Sequence, residues 1–157
     1  MRRIYSAWQL SAGARDGATA HNTRLERSEN HLMQMTYESM MIFAETWIAA
    51  WNRRDVEAVL AHFAEEAQFV SPMARDFVGG PVLRNKKELE EYWRGALDRI
   101  SVLEFKLDHA TWDEGRRELN VVYEANLNGE CKRACEIMQF DASGRQIRGE
   151  AFYGAAI

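Results

Sequence analysis

FAETWIAAWNRRDVEAVLAHFAEEAQFVSP, residues 43–72, is the stretch around which the rest of the chain is arranged. Working back from it, Tyr37, Met40, Met41, Ala44, Trp47, Ile48 and Trp51 recur at steps of three and four, which puts them on one face of an amphipathic helix ending near Trp51. Asn52 and two arginines make a corner. Asp55 then offers a carboxylate to the free N–H groups of the next turn, the role of an N-cap. The second, shorter helix has Val56, Val59, Leu60 and Phe63 as its apolar set, and the Ala-Glu-Glu-Ala run at 64–67 carries it out to solvent. There the period changes to two: Ala67, Phe69 and Ser71 share one face of a strand, Gln68 and Val70 the other. Pro72 stops the strand, because it has no N–H to give to a ladder.

Downstream, Met73 to Asn85 reads as a loop containing Gly79, Gly80 and Pro81. Asn85 opens a third helix with Glu88 three residues on, as in a capping box, and Leu89, Tyr92, Trp93, Ala96, Leu97 and Ile100 form its buried stripe. Four strands follow near 102–112, 117–128, 131–141 and 145–154, joined by Asp113-Glu-Gly, Asn128-Gly129 and Asp141-Ala-Ser-Gly. The Asn-Gly pair is the strongest hairpin signal, since both residues tolerate the positive φ of a type I′ turn. Helices first and consecutive hairpins afterwards predict an α+β domain, with the helices on one face of an antiparallel sheet.

The chain has 157 residues, 46% hydrophobic and 28% charged, the balance of a globular domain with a substantial core. A net charge of −4 excludes the broad basic face that meets phosphates, so no nucleic-acid partner is expected. No apolar run has the length of a membrane span. Cys131 and Cys135, four apart on one strand, stand about 13 Å from each other, too far for a disulfide. With no Cys-x-x-Cys and no His nearby, neither a metal site nor a cofactor is expected, and two reduced thiols point to the cytoplasm. Residues 1–32 are rich in Gly, Ala, Ser, Thr and Arg without a sustained period. They are expected to form a flexible tail ahead of a domain spanning 33–157.

The spacing Trp47-x-x-x-Trp51-Asn52-x-x-Asp55, a Phe before acidic residues, a strand ending at Ser71-Pro72, the helix motif Leu89-x-x-Tyr92-Trp93 and the closing Tyr153-Gly154 together resemble the SnoaL-like branch of the nuclear transport factor 2 superfamily. That superfamily also holds ketosteroid isomerases and polyketide cyclases. The resemblance runs from about Met35 to Gly154 and implies a cone-shaped roll, in which three N-terminal helices pack on a strongly curved, mainly antiparallel sheet enclosing an apolar pocket. It further implies that the segment after Pro72 lies at the pocket mouth, where specificity is set.

Strand parity then nominates the lining. Val121, Tyr123, Ala125 and Leu127 share one face, as do Gly149, Ala151 and Tyr153. In the 131–141 strand two faces compete: Cys131, Arg133, Cys135, Ile137 and Gln139 against Lys132, Ala134, Glu136, Met138 and Phe140. The resemblance puts Glu136, Met138 and Phe140 inside. A carboxyl in an apolar cavity has a raised pKa and can act as an acid or base near neutral pH. The resemblance also sets Ser71 where an isomerase would carry an aspartic base, and Trp47 where it would carry a tyrosine. A serine hydroxyl is too weak a base to enolise a ketone, so ketosteroid isomerisation itself is not expected.

The candidate catalytic residues are therefore Glu136, with Tyr92 on the third helix and His109, which shares parity with Phe105 and Leu107. Trp47, Trp51, Phe69, Ser71 and Trp93 are expected to bind substrate, together with Tyr123, Met138, Phe140 and Tyr153. Two function classes stay open. One is an isomerase, cyclase or lyase acting on a small apolar carbonyl compound; the other is a non-catalytic ligand-binding or dimerisation module. The resemblance also implies a homodimer formed through the convex face of the sheet, where Cys135, Ile137 and Phe152 would sit.

Overall fold

The computed structural model describes residues 35–157, so the expectation of a tail over 1–32 lies outside the described residues. Helix α1, Tyr37–Asn52, opens with a capping box: Thr36 Oγ1 accepts from the Ser39 N–H (3.2 Å), and the Thr36 N–H donates to Ser39 Oγ (3.0 Å). Met40, Ala44, Trp47, Ile48 and Trp51 are buried as the periodicity predicts, while Tyr37 stays exposed. At the corner Arg54 takes a left-handed φ of 57°. Its guanidinium donates to the carbonyls of Leu97, Ile100 and Ser101, which fixes the corner against the far end of a later helix. Asp55 Oδ1 accepts from the Ala58 N–H at 2.9 Å and starts α2, Val56–Leu60.

Helix α2 ends sooner than the apolar spacing suggests. Phe63 and the Ala-Glu-Glu-Ala run belong to strand β1, Phe63–Val70, which pairs in parallel with the last strand of the chain. A register irregularity between Phe63 and Gln68 turns Glu65 and Glu66 both to solvent, while Phe63 and Ala67 remain buried. Phe63 falls three residues after Leu60, so the apolar spacing runs on past the end of the helix. The expected loop 73–85 is also more ordered than its glycines imply. A 3₁₀ turn, Pro72–Ala74, runs into the one-turn helix α3, Arg75–Val78, which Gly79 ends at φ 77°, and β2, Val82–Leu83, then pairs antiparallel with β1.

Helix α4, Lys86–Leu97, is capped by Asn85, whose Oδ1 accepts from the Glu88 N–H (2.9 Å). The Glu88 carboxylate takes the Arg84 N–H (2.7 Å) and not that of Asn85, so the reciprocal half of the box is displaced by one residue. Strands β3, Leu103–Asp113, β4, Glu118–Leu127, β5, Glu130–Phe140, and β6, Gln146–Ala156, form consecutive antiparallel pairs. The β4–β5 turn has positive φ at Asn128 (55°) and Gly129 (89°), as its sequence predicts.

The curved, unclosed sheet has six strands in the order β2-β1-β6-β5-β4-β3. The Asn52 side chain hydrogen-bonds helix α1 to the sheet edge: Asn52 Oδ1 accepts from the Phe105 N–H (2.7 Å), and Asn52 Nδ2 donates to the Phe105 carbonyl (2.8 Å). The core therefore lies between the helices and the sheet face that carries Val121, Tyr123, Ala134, Met138 and Ala151. Among the described residues no helix is long and apolar enough to cross a membrane.

Candidate functional site

The helices and the sheet leave a cavity; the space between its walls, open solvent at the mouth included, is about 540 Å³. Helix α1 contributes Trp47 and Trp51, the end of β1 contributes Phe69 and Ser71, and α4 contributes Tyr92 and Trp93. From the sheet come Tyr123 on β4, Glu136 on β5 and Tyr153 on β6. The rings form a continuous wall of edge-to-face contacts: Trp47–Tyr123 at 5.5 Å, Trp51–Trp93 at 5.2 Å and Phe69–Trp93 at 5.4 Å between centroids.

Glu136 is the carboxyl of this cavity. The register Val121↔Glu136↔Ala151 seats it in the middle of the sheet, and it is 4% exposed. The arginines that could have neutralised it are engaged elsewhere: Arg133 pairs with Asp108, and Arg148 lies 3.5 Å from Glu150. Its Oε1 has no hydrogen-bond partner among the described residues. Burial without compensation pushes its pKa up to about 8, so the neutral acid predominates at neutral pH.

Around this acid stand phenols that also stay protonated. Burial is the main cause that raises Tyr92, Tyr123 and Tyr153, and the nearby Glu136 charge adds to each. The Ser71 hydrogen bond works the other way on Tyr92. Ser71 Oγ lies 3.2 Å from the Tyr92 hydroxyl and accepts from the Met73 N–H at 3.3 Å, so the residue at the presumed base position is an orienting group for the phenol. The indole N–H groups of Trp47 and Trp51 are buried and, like Glu136 Oε1, have no partner among the described residues. Buried polar groups are nearly always paired, so these three, on residues that line one cavity, are positions for a water or a bound molecule to fill. Chemically, the arrangement holds one proton donor of near-neutral pKa beside several neutral hydrogen-bond donors.

Two expectations about the lining need correction. His109 does not face inward: its side chain is about half exposed (53%), with Nδ1 3.3 Å from Asp108 on the convex side. The pairing of β3 with β4 slips between Leu107 and His109, and that slip reverses the parity of every residue beyond it. Met138 and Phe140 are buried, but they lie outside the cavity lining; Phe140 packs edge-on against Phe43 at 5.4 Å in the closed end of the cone. Phe105 and Leu103 on β3, and Met73 on the turn after Pro72, line the cavity without having been nominated. The alternation of Leu103, Phe105 and Leu107 carried the signal for the first two; Met73 had none. Among the described residues no group of three or more His, Cys, Asp or Glu side chains is arranged to hold a metal ion.

Comparison with known proteins gives the same architecture. No curated protein matches the sequence. A SnoaL-like protein of unknown function from Burkholderia thailandensis is 28% identical with a TM-score of 0.69, over 77% of this chain and 98% of that one. A protein of unknown function with a cystatin-like fold from Methylobium petroleophilum is 23% identical (TM-score 0.63; 76% and 78% covered). SalBIII, an epoxide hydrolase/cyclase-like enzyme in pyran ring formation in the polyether salinomycin, shares the fold at 17% identity (TM-score 0.59; 74% and 92% covered). The sequence model of the SnoaL-like domain matches residues 44–152, which contain every cavity-lining position except Tyr153. The chain belongs to the SnoaL-like domain family.

Proposed function

We propose that this protein is an enzyme of the isomerase, cyclase or lyase kind, acting on a small, largely apolar carbonyl compound, with Glu136 as its acid and base. The observation that carries the reading is a buried carboxyl, with no cation and no hydrogen bond among the described residues, facing an aromatic cavity. A purely structural carboxyl would cost less as a glutamine or a methionine. As a neutral acid with a pKa of about 8, Glu136 can give a proton to a substrate oxygen and recover it within one turnover. The protonated tyrosines, with Tyr92 oriented by Ser71, supply hydrogen bonds to the oxygen on which charge develops. SalBIII, the epoxide hydrolase/cyclase-like enzyme of the same fold, is compatible with this, although at 17% identity that likeness speaks for the fold alone.

The second reading, a non-catalytic binding module, is favoured by Ser71, which leaves the site without a second carboxylate. Glu136→Gln separates the two. The amide keeps the shape and a donor but cannot exchange a proton. For a catalytic carboxyl, turnover of a substrate found by screening small ketones and enones should fall by two orders of magnitude or more, roughly the contribution of a general acid or base, while ligand affinity changes little. Unchanged turnover would remove Glu136 from the chemistry, and ligand binding without turnover in the parent would leave the binding module as the function.

A further inference from the structure

Beside the Glu136 cavity lies a second, wider hollow, about 1230 Å³ against about 540 Å³ with open solvent included in both. Met73, Ile100, Leu127 and Tyr153 line both, so the two adjoin at these side chains. The outer chamber has a different chemistry from the aromatic wall: Asp76 comes from α3, Asn128 and Glu130 from the β4–β5 hairpin, and Lys132 from β5.

Its walls are held in place before any ligand arrives. Asn128 Oδ1 accepts from the Ser101 N–H (2.7 Å), the Ser101 hydroxyl (2.9 Å) and the Val102 N–H (3.1 Å), which clamps the hairpin to the start of β3. On the opposite side Phe77, next to Asp76, packs edge-on against Tyr92 at 5.4 Å, and the Arg99 guanidinium lies 4.3 Å from the centre of its ring. The charges do not cancel. Lys132 Nζ is 2.8 Å from Glu130 Oε1, whereas the Asp76 carboxylate has no hydrogen bond or ion pair among the described residues. The Asp76 charge is also close enough to help raise Tyr92 in the inner cavity.

We propose that the outer chamber is a second subsite, taking the polar arm of a two-part ligand whose apolar ring sits in the Glu136 cavity and whose chain passes Met73 and Tyr153, where the two adjoin. The surplus carboxylate selects an arm that ends in a hydrogen-bond donor, an ammonium or a hydroxyl group, over one that ends in a carboxylate. This rests on the reading that the inner cavity binds a small apolar molecule.

The test uses three probes with one head and one arm length: 4-phenylbutylamine, 4-phenylbutan-1-ol and 4-phenylbutanoate. Each is titrated into the full chain at pH 7, with the indole N–H resonances of the tryptophans followed by NMR. The amine should bind about five-fold tighter than the acid, the size expected of one favourable against one unfavourable partly solvated charge contact, with the alcohol between them. Asp76→Asn should bring the ratio of amine to acid close to one and leave the alcohol unaffected. Equal binding of amine and acid, with the indole resonances shifted, would overturn the outer subsite while the inner cavity keeps its role. A ratio that survives Asp76→Asn would also overturn it, since the ammonium would then be reaching Glu136. If none of the probes shifts the indole resonances, the inner cavity reading falls together with the subsite.

Discussion

A carboxyl held away from water among tryptophans and tyrosines favours its neutral form, and at Glu136 neither a cation nor a hydrogen-bond donor among the described residues opposes this. The consequence for stability has a definite sign. The pKa rises from an ordinary 4.5 to about 8 on folding, so between those values the native state binds a proton that the unfolded chain does not. Stability from this residue is fully present below pH 4.5 and is lost as pH rises toward 8, with a slope of at most about 1.4 kcal/mol per pH unit. Glu136→Gln should remove that slope, so its urea-unfolding free energy should exceed that of the parent at pH 8 and converge with it toward pH 5. Parallel profiles for the two proteins would show that the carboxyl is not held neutral. For Tyr92→Phe, losing the 3.2 Å contact with Ser71 should cost about 1 kcal/mol in the same measurement. Retention of the parent free energy would mean that this hydrogen bond is not formed in solution.

The elements were legible where sequence period and tertiary contacts agree. Helix α1 announces its buried face through Trp47, Ile48 and Trp51, and Asn128-Gly129 announces its turn. The failures are local irregularities that no alternation rule contains. One is the slip after Leu107, which sent His109 outward, and another is the end of α2 before Phe63, which falls at helical spacing from Leu60 yet opens a strand. The facing of β5 was ambiguous from its residues, since both of its faces mix apolar and charged side chains, and it was the resemblance that brought Glu136 inside. Asn52, read as part of a corner, joins α1 to β3 through both ends of its amide. Asn52→Ala should therefore leave the Phe105 N–H and C=O unpaired and destabilise the domain by about 2–3 kcal/mol, measured by urea unfolding. A loss below about 0.5 kcal/mol would show that water replaces the amide there without cost.

At the scale of the whole molecule, the sheet curves around the aromatic cavity and turns its other face outward. There Phe152 is 46% exposed and pairs across the strands with the half-buried Cys135, beside Ile137. Apolar residues set among charges in this way have the composition of an interface core with a polar rim, and we propose a two-fold homodimer through this face. Sedimentation at micromolar concentration should give a mass near twice the 18.1 kDa of one chain; a monomer mass would refute the pairing. The inner face carries the larger claim, that the fold exists to keep one carboxyl dry and neutral beside a bound molecule. The direct measurement is the carbon-13 chemical shift of the Glu136 carboxyl, followed by NMR from pH 4 to pH 10 and assigned by its disappearance in Glu136→Gln. A midpoint near 8 is the result expected from burial without a partner. A midpoint at or below the ordinary glutamate value would mean that the carboxyl is solvated or paired with a cation, and would contradict the account.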